Sequence, residues 1–295
     1  MTAGTPPQPP TAGSESASTG SSGAAPKDPL TEPGPWNSVA VGYDEEFFEQ
    51  LPEVLDKAIT VLAAPPESTV LDLATGPGTF AVPAARHFKK VVAVDFAEQM
   101  IERLRGHLER SGIGNVEALV MDGHALSFED ASFDAVVSMF GWFLFADRAR
   151  SLAEIHRVLR PRGRVLVASW ATPDRNTVLG AGLEGLRSAL PDLPRPAGPL
   201  PTQVPEICAS EVRSAGFCDV TTTLVTVGVN FESVDAYWRM MQRAGAPMVL
   251  LRKKMGEEAF EDAARKAREH IRGKLGTGSV VLDAAAIFTS GTRGD

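Results

Sequence analysis

The sequence has little of what a nucleic-acid-binding or membrane protein requires. Its 29 Lys and Arg residues stand against 37 Asp and Glu residues, a formal net charge of -8, whereas a protein that binds a phosphate backbone needs a basic face. No apolar run approaches the ~20 residues of a membrane span, and no charged-then-apolar signal pattern opens the chain. We therefore predict a cytoplasmic protein with no nucleic-acid partner and no membrane span.

Cysteine is also scarce. The two cysteines, Cys208 and Cys218, show no C-x-x-C or other metal-ligand spacing, so neither a disulfide framework nor a metal site is indicated. The sequence also lacks the G-x-x-x-x-G-K-[ST] loop that cradles phosphates and the Tyr-x-x-x-Lys pair of a dehydrogenase. Several common enzyme chemistries are thereby disfavoured.

What is present is an ordinary globular composition with one atypical end. The 295 residues are 43% hydrophobic and 22% charged, which is enough to bury a sizeable core. Residues 1–35 are dominated by Thr, Ser, Gly, Ala and Pro, and such a segment cannot bury enough surface to offset its ordering entropy. We predict a disordered tail over 1–35 and a helical cap over 36–66, which carries apolar residues at helical spacing.

Strand and helix patterns alternate after the cap. Near-continuous apolar strands are predicted at 70–74, 91–95, 116–121, 133–139 and 164–170, with helices at 79–86, 98–111 and 147–159 between them. This pattern predicts a parallel, doubly wound α/β sheet over a core of residues 67–172. Residues 173–295 are predicted to form a lid, a helical insertion and the last strands of the same domain, with strands at 220–229 and 280–289 and helices over 232–275.

The most informative segment begins at Val70, where an apolar strand meets a glycine turn and then a helix. Gly76 and Gly78 allow the backbone to turn tightly and approach a ligand closely. Asp95 ends the next predicted strand, where its two oxygens can accept from both hydroxyls of a ribose. The arrangement predicts a nucleotide-type cofactor pocket, although the G-x-G-x-x-A motif alone also suits NAD.

Three later motifs decide between cofactors. The first motif is Leu71-Asp72-Leu73-Ala74-Thr75-Gly76-Pro77-Gly78. The three later motifs are Met121-Asp122-Gly123-His124-Ala125-Leu126-Ser127-Phe128, Ser132-Phe133-Asp134-Ala135-Val136-Val137, and Glu154-Ile155-His156-Arg157-Val158-Leu159-Arg160-Pro161-Arg162-Gly163-Arg164. In this order and spacing they resemble the class I S-adenosylmethionine-dependent methyltransferases, most closely the ubiquinone/menaquinone-biosynthesis type (methyltransferase domain type 11/25), strongly over residues 36–170.

That resemblance implies a mostly parallel, seven-stranded Rossmann-like sheet with an N-terminal helical cap and a helical lid insertion. It implies S-adenosylmethionine (SAM) as the cofactor and S-adenosylhomocysteine as the product. The acceptor is a small molecule, an O, N or C nucleophile of an apolar or aromatic metabolite. Two alternatives stay open at this point, a nicotinamide-dependent oxidoreductase and a non-enzymatic SAM-binding protein, and the sequence indicates no oligomeric state.

The resemblance also implies which residues bind the cofactor. Asp72 would hold the methionine ammonium, Asp95 the ribose, and Asp122 the adenine amine. The other implied cofactor residues are Ala74, Gly76 and Gly78 in the turn, Phe96 and Met100 flanking the adenine, Gly123 and His124 beside it, Ser138 below the sulfonium, and Tyr43 in the cap. Ala74 departs from the glycine common in the family, and its methyl group should be tolerated if its φ is negative.

Methyl transfer from a sulfonium needs mainly the alignment of the nucleophile, so no catalytic triad is expected and none is found. The one candidate base is His124, with a role in the pocket wall as the alternative. Phe140, Trp142 and Phe143 follow the fourth predicted strand and are the candidate acceptor-binding residues; packing of helix on sheet is the alternative for each.

Overall fold

The computed structural model describes residues 1–2, 28–47 and 51–295. The strands are β1 (Thr69–Leu73), β2 (Lys90–Asp95), β3 (Val116–Val120), β4 (Phe133–Met139), β5 (Leu159–Trp170), β6 (Phe217–Phe231) and β7 (Val280–Arg293). They form one sheet in the order β3-β2-β1-β4-β5-β7-β6. The first five are parallel, and β7 is antiparallel to both of its neighbours. The predicted seven-stranded, mostly parallel sheet is confirmed.

Helices flank the sheet on both faces. They are α1 (Pro33–Phe47), α2 (Pro52–Leu62), α3 (Ala81–Ala84), α4 (Glu98–Ser111), α5 (Arg148–Val158), α6 (Thr177–Ala189), α7 (Pro205–Ser214), α8 (Val234–Ala244), α9 (Ala246–Met255) and α10 (Glu257–Leu275). Across the described ranges, no helix combines the length and the apolar character needed to cross a membrane.

The two faces of the sheet carry separate cores because alternate strand residues point to opposite sides. Val70 of β1 packs in the core that includes α2, α3 and α4. Its neighbours Leu71 and Leu73 pack in the core that includes α5 and α7. A sheet buried on both faces explains why β1, β2 and β4 are nearly uninterrupted apolar runs.

Local signals account for several helix bounds. Helix α4 has the predicted bounds and ends where Gly112 adopts a left-handed backbone, with φ of +63°. The side chain of Asp147 accepts a hydrogen bond of 2.9 Å from the Arg150 amide and so caps α5. Helix α3 is only one turn long, as expected for a segment that contains Pro83.

Among the described residues, order begins before the boundary predicted at residue 35. Residues 29–31 form a 3-10 turn, and α1 starts at Pro33. Leu30 packs against a small core cluster with Trp36, and the Trp36 indole N–H donates a hydrogen bond of 2.9 Å to the Leu30 carbonyl. These two apolar side chains supply the burial that the composition of the segment as a whole does not indicate. The greater part of the predicted tail, residues 3–27, lies outside the described residues.

The helical insertion consists of α8, α9 and α10, which connect β6 to β7. Helix α10 packs on α6, where an added Cβ at Gly185 would lie 2.6 Å from Ile271 Cδ1. Helix α8 packs on α1, and Tyr237 is fully buried with its hydroxyl donating to the Val178 carbonyl at 2.6 Å. Helix α7, which the sequence patterns did not predict, follows Pro205 and packs on β6. The proposed division of the chain at residues 36, 67 and 173 stays a prediction.

Candidate active site

A cavity of about 630 Å³ lies at the carboxyl ends of β1 to β4. The strand order reverses there, because β1 lies between β2 and β4, and open α/β sheets bind ligands at such a switch point. The cavity is lined by the β1–α3 turn, by the residues that follow β2, β3 and β4, and by α1, α2 and the turn before α1. Every described lining residue therefore falls between positions 28 and 146.

The β1–α3 turn has the left-handed backbone that the glycine motif predicts. Gly76 and Gly78 have φ of +58° and +93°, a region that favours glycine. A Cβ at Gly78 would also lie 2.4 Å from Leu104 Cδ1, so this glycine lets the turn pack directly on α4. Gly76 lines the cavity, whereas Gly78 is buried beneath it.

The condition under which the Ala74 methyl group was expected to be tolerated, a negative φ, is not met. Ala74 has φ of +57°, a conformation that costs roughly 1–2 kcal/mol for a residue with a Cβ. The space for its methyl group comes from Gly141, where an added Cβ would lie 2.3 Å from the Ala74 Cβ. Because Gly141, which follows β4, has no side chain, the turn has room for an alanine at position 74.

Asp72 is almost fully buried at the cavity, and only one of its carboxylate oxygens is satisfied. Its Oδ2 accepts a hydrogen bond of 2.5 Å from the Thr75 hydroxyl, whereas Oδ1 has no hydrogen-bond partner among the described residues. Burial, with a smaller contribution from the Asp95 carboxylate, raises the pKa of Asp72 to about 7. A buried acceptor without a donor is destabilising, so this oxygen is matched to a ligand that brings a donor, preferably a cationic one.

Asp95 ends β2 and is held by backbone amides. Gly76 N–H donates to Oδ2 and Ala97 N–H donates to Oδ1, both at 2.9 Å. Burial raises the pKa of Asp95 to about 6, although these backbone hydrogen bonds lower it. A carboxylate has about four acceptor positions, and the positions that backbone amides leave open can accept hydrogen bonds from a ligand in the cavity.

Asp122 and His124 form a closed hydrogen-bonded unit after β3. Asp122 Oδ1 accepts from the His124 backbone N–H at 2.9 Å and lies 2.8 Å from His124 Nδ1. Partial burial opposes ionisation of Asp122, but the hydrogen bonds from His124 outweigh it and keep the pKa of Asp122 below its usual value. The Asp147 backbone N–H donates to His124 Nε2 at 3.3 Å, which assigns the ring proton to Nδ1. With both nitrogens engaged, the geometry favours the pocket-wall role of His124 over the base role.

Four other predicted cofactor residues also line the cavity: Tyr43 of α1, Phe96 and Met100 beside Asp95, and Gly123 beside Asp122. Burial, together with the charge of Asp95, raises the pKa of Tyr43, so its hydroxyl stays protonated. A Cβ at Gly123 would lie 2.7 Å from the Phe145 ring, so this glycine allows Phe145 to reach the cavity.

Besides Gly78, three predicted site residues do not line the cavity. Ser138 is fully buried in β4, and its hydroxyl has no hydrogen-bond partner among the described residues. Trp142 is 1% exposed in the core that contains α5 and α7, and Phe143 packs against that core. The structure therefore places Trp142 and Phe143 in or against this core and not in the cavity lining. A 3-10 turn at Trp142–Leu144 directs these two rings away from the cavity.

Phe140 does line the cavity. Its ring stacks on Trp170 with centroids 3.8 Å apart and planes 9° apart, and its φ is +63°. Such backbone strain persists only where the surroundings enforce it. The aromatic stack fixes this ring as a wall of the cavity.

The structure adds lining residues that the sequence patterns did not single out as site residues. They are Asp28, Leu30, Thr31, Glu32, Pro33 and Trp36 before and in α1, Leu51 and Leu55 at α2, Leu73, Thr75, Thr79 and Phe80 at the end of β1 and after it, and Met121, Met139, Gly141, Leu144 and Ala146. The apolar spacing of Trp36, Leu51 and Leu55 indicated a cap, but not which side of each helix faces a ligand.

Comparison with known proteins decides the family. A family model described as a methyltransferase domain matches residues 70–163, which contain all three carboxylates described above. The demethylmenaquinone methyltransferase of Thermus thermophilus is 34% identical over 176 residues, covering 54% of this chain and 78% of that protein. The chain belongs to the class I S-adenosylmethionine-dependent methyltransferases.

A second relative agrees with this assignment, and a solved structure shares the fold. The demethylmenaquinone methyltransferase of Clavibacter sepedonicus is 40% identical over 104 residues, and the match spans 35% of this chain and less than half, 42%, of that protein. The solved structure of the YcgJ protein from Bacillus subtilis has the same fold, with a TM-score of 0.55 at 19% identity over 82% of this chain and 99% of that one.

Membership of this family makes SAM the cofactor of this methyltransferase and excludes the nicotinamide alternative. The described residues fit the group. SAM is cationic and carries hydrogen-bond donors on its ammonium, ribose and adenine, while Asp72, Asp95 and Asp122 are acceptors around one cavity. The unpartnered Oδ1 of Asp72 is the strongest sign of fit, because a bound ammonium would supply the donor that it lacks.

Proposed function

We propose that this methyltransferase transfers the methyl group of SAM to an O, N or C nucleophile of a small apolar or aromatic metabolite. The observation that carries the proposal is the division of one cavity into two kinds of wall. Carboxylates lie at the ends of β1 and β2 and after β3, while apolar side chains such as Phe80, Met139 and Phe140 form another part of the lining. A volume of about 630 Å³ is in the range of small-molecule sites.

The proposed cofactor contacts follow the carboxylates in chain order. Asp72 would accept from the ammonium of the methionine part, Asp95 from the ribose hydroxyls and Asp122 from the adenine amine. Phe96 and Met100 would flank the adenine. The unpartnered oxygen of Asp72 and the backbone-held carboxylate of Asp95 support this order, because both residues line the cavity and keep acceptor capacity.

Bound SAM supplies an activated methyl group on a sulfonium. The chain's own contribution is to bind and align the acceptor and to exclude water from it. Tyr43, Leu51 and Leu55 from the two cap helices cover the cavity with mostly apolar surface. No proton transfer is assigned to His124, because its ring nitrogens are held by Asp122 and the Asp147 amide.

The acceptor wall favours a planar ring. Phe140 and Trp170 form a parallel stack at one side of the cavity, and aromatic faces pack well on further aromatic groups. Relatives of this methyltransferase are named demethylmenaquinone methyltransferases, so a reduced naphthoquinone ring is the first acceptor to test. The nucleophile would be the hydroxyl oxygen of this ring or the ring carbon next to the hydroxyl-bearing carbon.

The test is transfer of a labelled methyl group from SAM to a panel of reduced naphthoquinones, phenols, amines and carboxylic acids, with products identified by mass spectrometry. We expect turnover of an aromatic member of the panel. Methylation restricted to polar aliphatic amines or acids would contradict the proposed acceptor class, and S-adenosylhomocysteine formation without any methylated product would contradict transfer to such a metabolite.

A matched pair of variants locates the acceptor. Phe140→Leu removes an aromatic wall of the cavity, whereas Phe128→Leu removes a partly buried ring that packs against the other core and does not line the cavity. We expect Phe140→Leu to raise the acceptor KM several-fold with the SAM KM unchanged. Equal acceptor KM values in the two variants would contradict the aromatic-wall assignment.

A further inference from the structure

The segment before and at the start of α1, residues 28–36, contributes to the cavity although it lies outside the matched domain at 70–163. We refer to it as the N-terminal strap. Its lining residues are Asp28, Leu30, Thr31, Glu32, Pro33 and Trp36. A structured segment that lines a cofactor cavity is either part of the binding site or a passive cover, and its contacts distinguish these roles.

The strap packs on the part of the site assigned to adenosine. Leu30 and Trp36 pack against a cluster that contains Ala97 and Met100, with Phe96 beside them. These three residues directly follow Asp95, whose Oδ1 accepts from Ala97 N–H. The strap therefore lies next to the carboxylate proposed to bind the ribose, and beside the side chains proposed to flank the adenine.

Specific hydrogen bonds hold the strap in this place. Asp28 Oδ1 accepts from Leu30 N–H at 3.0 Å, and the Trp36 indole N–H donates to the Leu30 carbonyl at 2.9 Å. Helix α4 has no side-chain cap from Ala97 at its own N-terminus. Instead, Asn37, the residue after the strap, accepts from Gln99 N–H through its Oδ1 at 3.0 Å. This hydrogen bond joins the chain next to the strap to the helix that follows Asp95.

The surroundings of the Trp36 ring suit stacking on a ligand. Its N–H is used within the strap, the residue is only partly buried, and it lines the cavity beside Phe96. A flat aromatic surface with its polar atom already satisfied suits the face of a purine, since every base has a π-face.

We propose that the N-terminal strap forms the outer wall of the adenosine half of the cofactor site and that Trp36 packs against the bound nucleoside. The inference rests on the cofactor placement proposed above, with the ribose at Asp95. It assigns cofactor affinity to a segment beyond the matched domain, and it does not depend on which acceptor is methylated.

Calorimetry with S-adenosylhomocysteine and with adenosine tests the proposal. We expect Trp36→Ala to bind both ligands about tenfold more weakly, with the acceptor KM unchanged at saturating SAM. Trp36→Phe keeps an aromatic face and should bind within about threefold of the wild type. The matched control is Trp238→Phe, a buried tryptophan of α8 that does not line the cavity, and its affinity should be unchanged.

Tryptophan fluorescence gives a second readout that a purely structural role would not move. Binding of S-adenosylhomocysteine should change the emission of the wild type and of Trp238→Phe, and most of that change should be lost in Trp36→Phe. A full fluorescence change in Trp36→Phe, or adenosine affinity within twofold of the wild type in folded Trp36→Ala, would overturn the proposal. Adenosine affinity unaltered by Asp95→Ala would instead overturn the underlying cofactor placement.

Discussion

The cavity has two halves that are built differently. The sheet-borne half comprises the lining residues that follow β1 to β4, between Asp72 and Ala146, and it falls within the matched domain at 70–163. The cap-borne half comprises the N-terminal strap, Tyr43, Leu51 and Leu55, and it falls outside that domain. The sheet-borne half contains the three carboxylates assigned to the cofactor, whereas the cap-borne half comes from sequence that the family model does not match.

The two halves are also held by different forces. Asp95 is fixed by backbone amides of the turn and of the start of α4, and parallel strand pairing sets the positions of the strand ends. Helix α1 is held by apolar packing of Val39 and Ala40 and by side-chain ion pairs of Glu46 with Arg239 and Arg243 of α8. The arginine ends of these pairs are exposed, and pairs open to solvent contribute little individually, so we expect the cap to be the more adjustable half.

The largest effect should come from the sheet-borne carboxylate with the unpartnered oxygen. Asp72→Asn keeps the shape but removes the charge that would meet the ammonium, and we expect S-adenosylhomocysteine to bind about 100-fold more weakly at pH 8, since charge-assisted hydrogen bonds in buried sites contribute roughly 1.5–3 kcal/mol. Calorimetry measures this. The control is Glu117→Gln, an exposed carboxylate paired with Lys90; equal affinities in the two variants would refute the role of Asp72.

The next effect concerns how the turn accommodates Ala74. Gly141→Ala places a methyl group against the Ala74 Cβ, and we expect the free energy of unfolding to fall by about 2 kcal/mol. Ala74→Gly removes the obstacle and a strained left-handed alanine, so the double variant should recover most of that loss. Denaturant unfolding of the wild type, the two single variants and the double variant gives the coupling free energy between positions 74 and 141. If the two changes are simply additive, the contact between these positions is not what accommodates Ala74.

A smaller effect should appear in the pH dependence. Burial raises the pKa of Asp72 to about 7 and that of Asp95 to about 6, above the usual value of ~4 in an unfolded chain. For these two groups, the stability of the ligand-free protein is greatest below about pH 4 and declines as the pH rises through their folded pKa values. Cofactor binding has the opposite sign, because a cationic ligand binds the ionised carboxylates.

We therefore expect the affinity for S-adenosylhomocysteine to rise about tenfold between pH 6 and pH 8, since a group with a pKa near 7 passes from roughly one-tenth to nine-tenths ionised over this interval. Calorimetry at pH 6, 7 and 8 measures the trend, and the slope should be smaller in Asp72→Asn. An affinity of the wild type that does not change with pH would show that these carboxylates do not meet the cationic part of the ligand.

The smallest effect is expected for the cap. Arg243→Gln removes the pairs that Arg243 of α8 makes with Glu45 and Glu46 of α1 and leaves Arg239 on Glu46, and we expect the free energy of unfolding to fall by about 1 kcal/mol or less. Affinity for S-adenosylhomocysteine should drop about twofold. Arg265→Gln, which removes pairs within α10, serves as the control for affinity. A tenfold loss in Arg243→Gln alone would mean that the cap is as rigid a part of the site as the sheet.

The fold was predictable where local patterns agree with the tertiary environment. The apolar strands β1 to β5 and the bounds of α4 follow from periodicity and from glycine and proline positions. Helix α7 was missed because it follows a Pro- and Gly-rich stretch that is typical of a loop. The lid role predicted for the insertion is not confirmed: among the described residues it contributes none to the cavity, and α8 instead supports α1 from outside.

The site was predictable only in part. Asp72, Asp95 and Asp122 line the cavity as expected, because parallel strands bring their carboxyl ends to one edge. Phe140 and Trp142 are two residues apart and equally aromatic, yet one lines the cavity and the other is buried in the opposite core. The direction of each ring depends on a left-handed residue and a 3-10 turn, which the side-chain types do not specify.

The sequence by itself determined the mostly parallel sheet and a nucleotide-type cofactor pocket, and its ordered motifs carried the resemblance to the family. Their signals are local: a glycine turn, an acidic residue at the end of a strand, and apolar runs of the right length. Only the tertiary structure decided that residues 28–36 reach the cofactor cavity, that Gly141 makes room for Ala74, and that the C-terminal helices support the cap without lining the site. Each of these depends on contacts between segments distant in the chain, and such contacts are set by packing and leave no pattern in neighbouring residues.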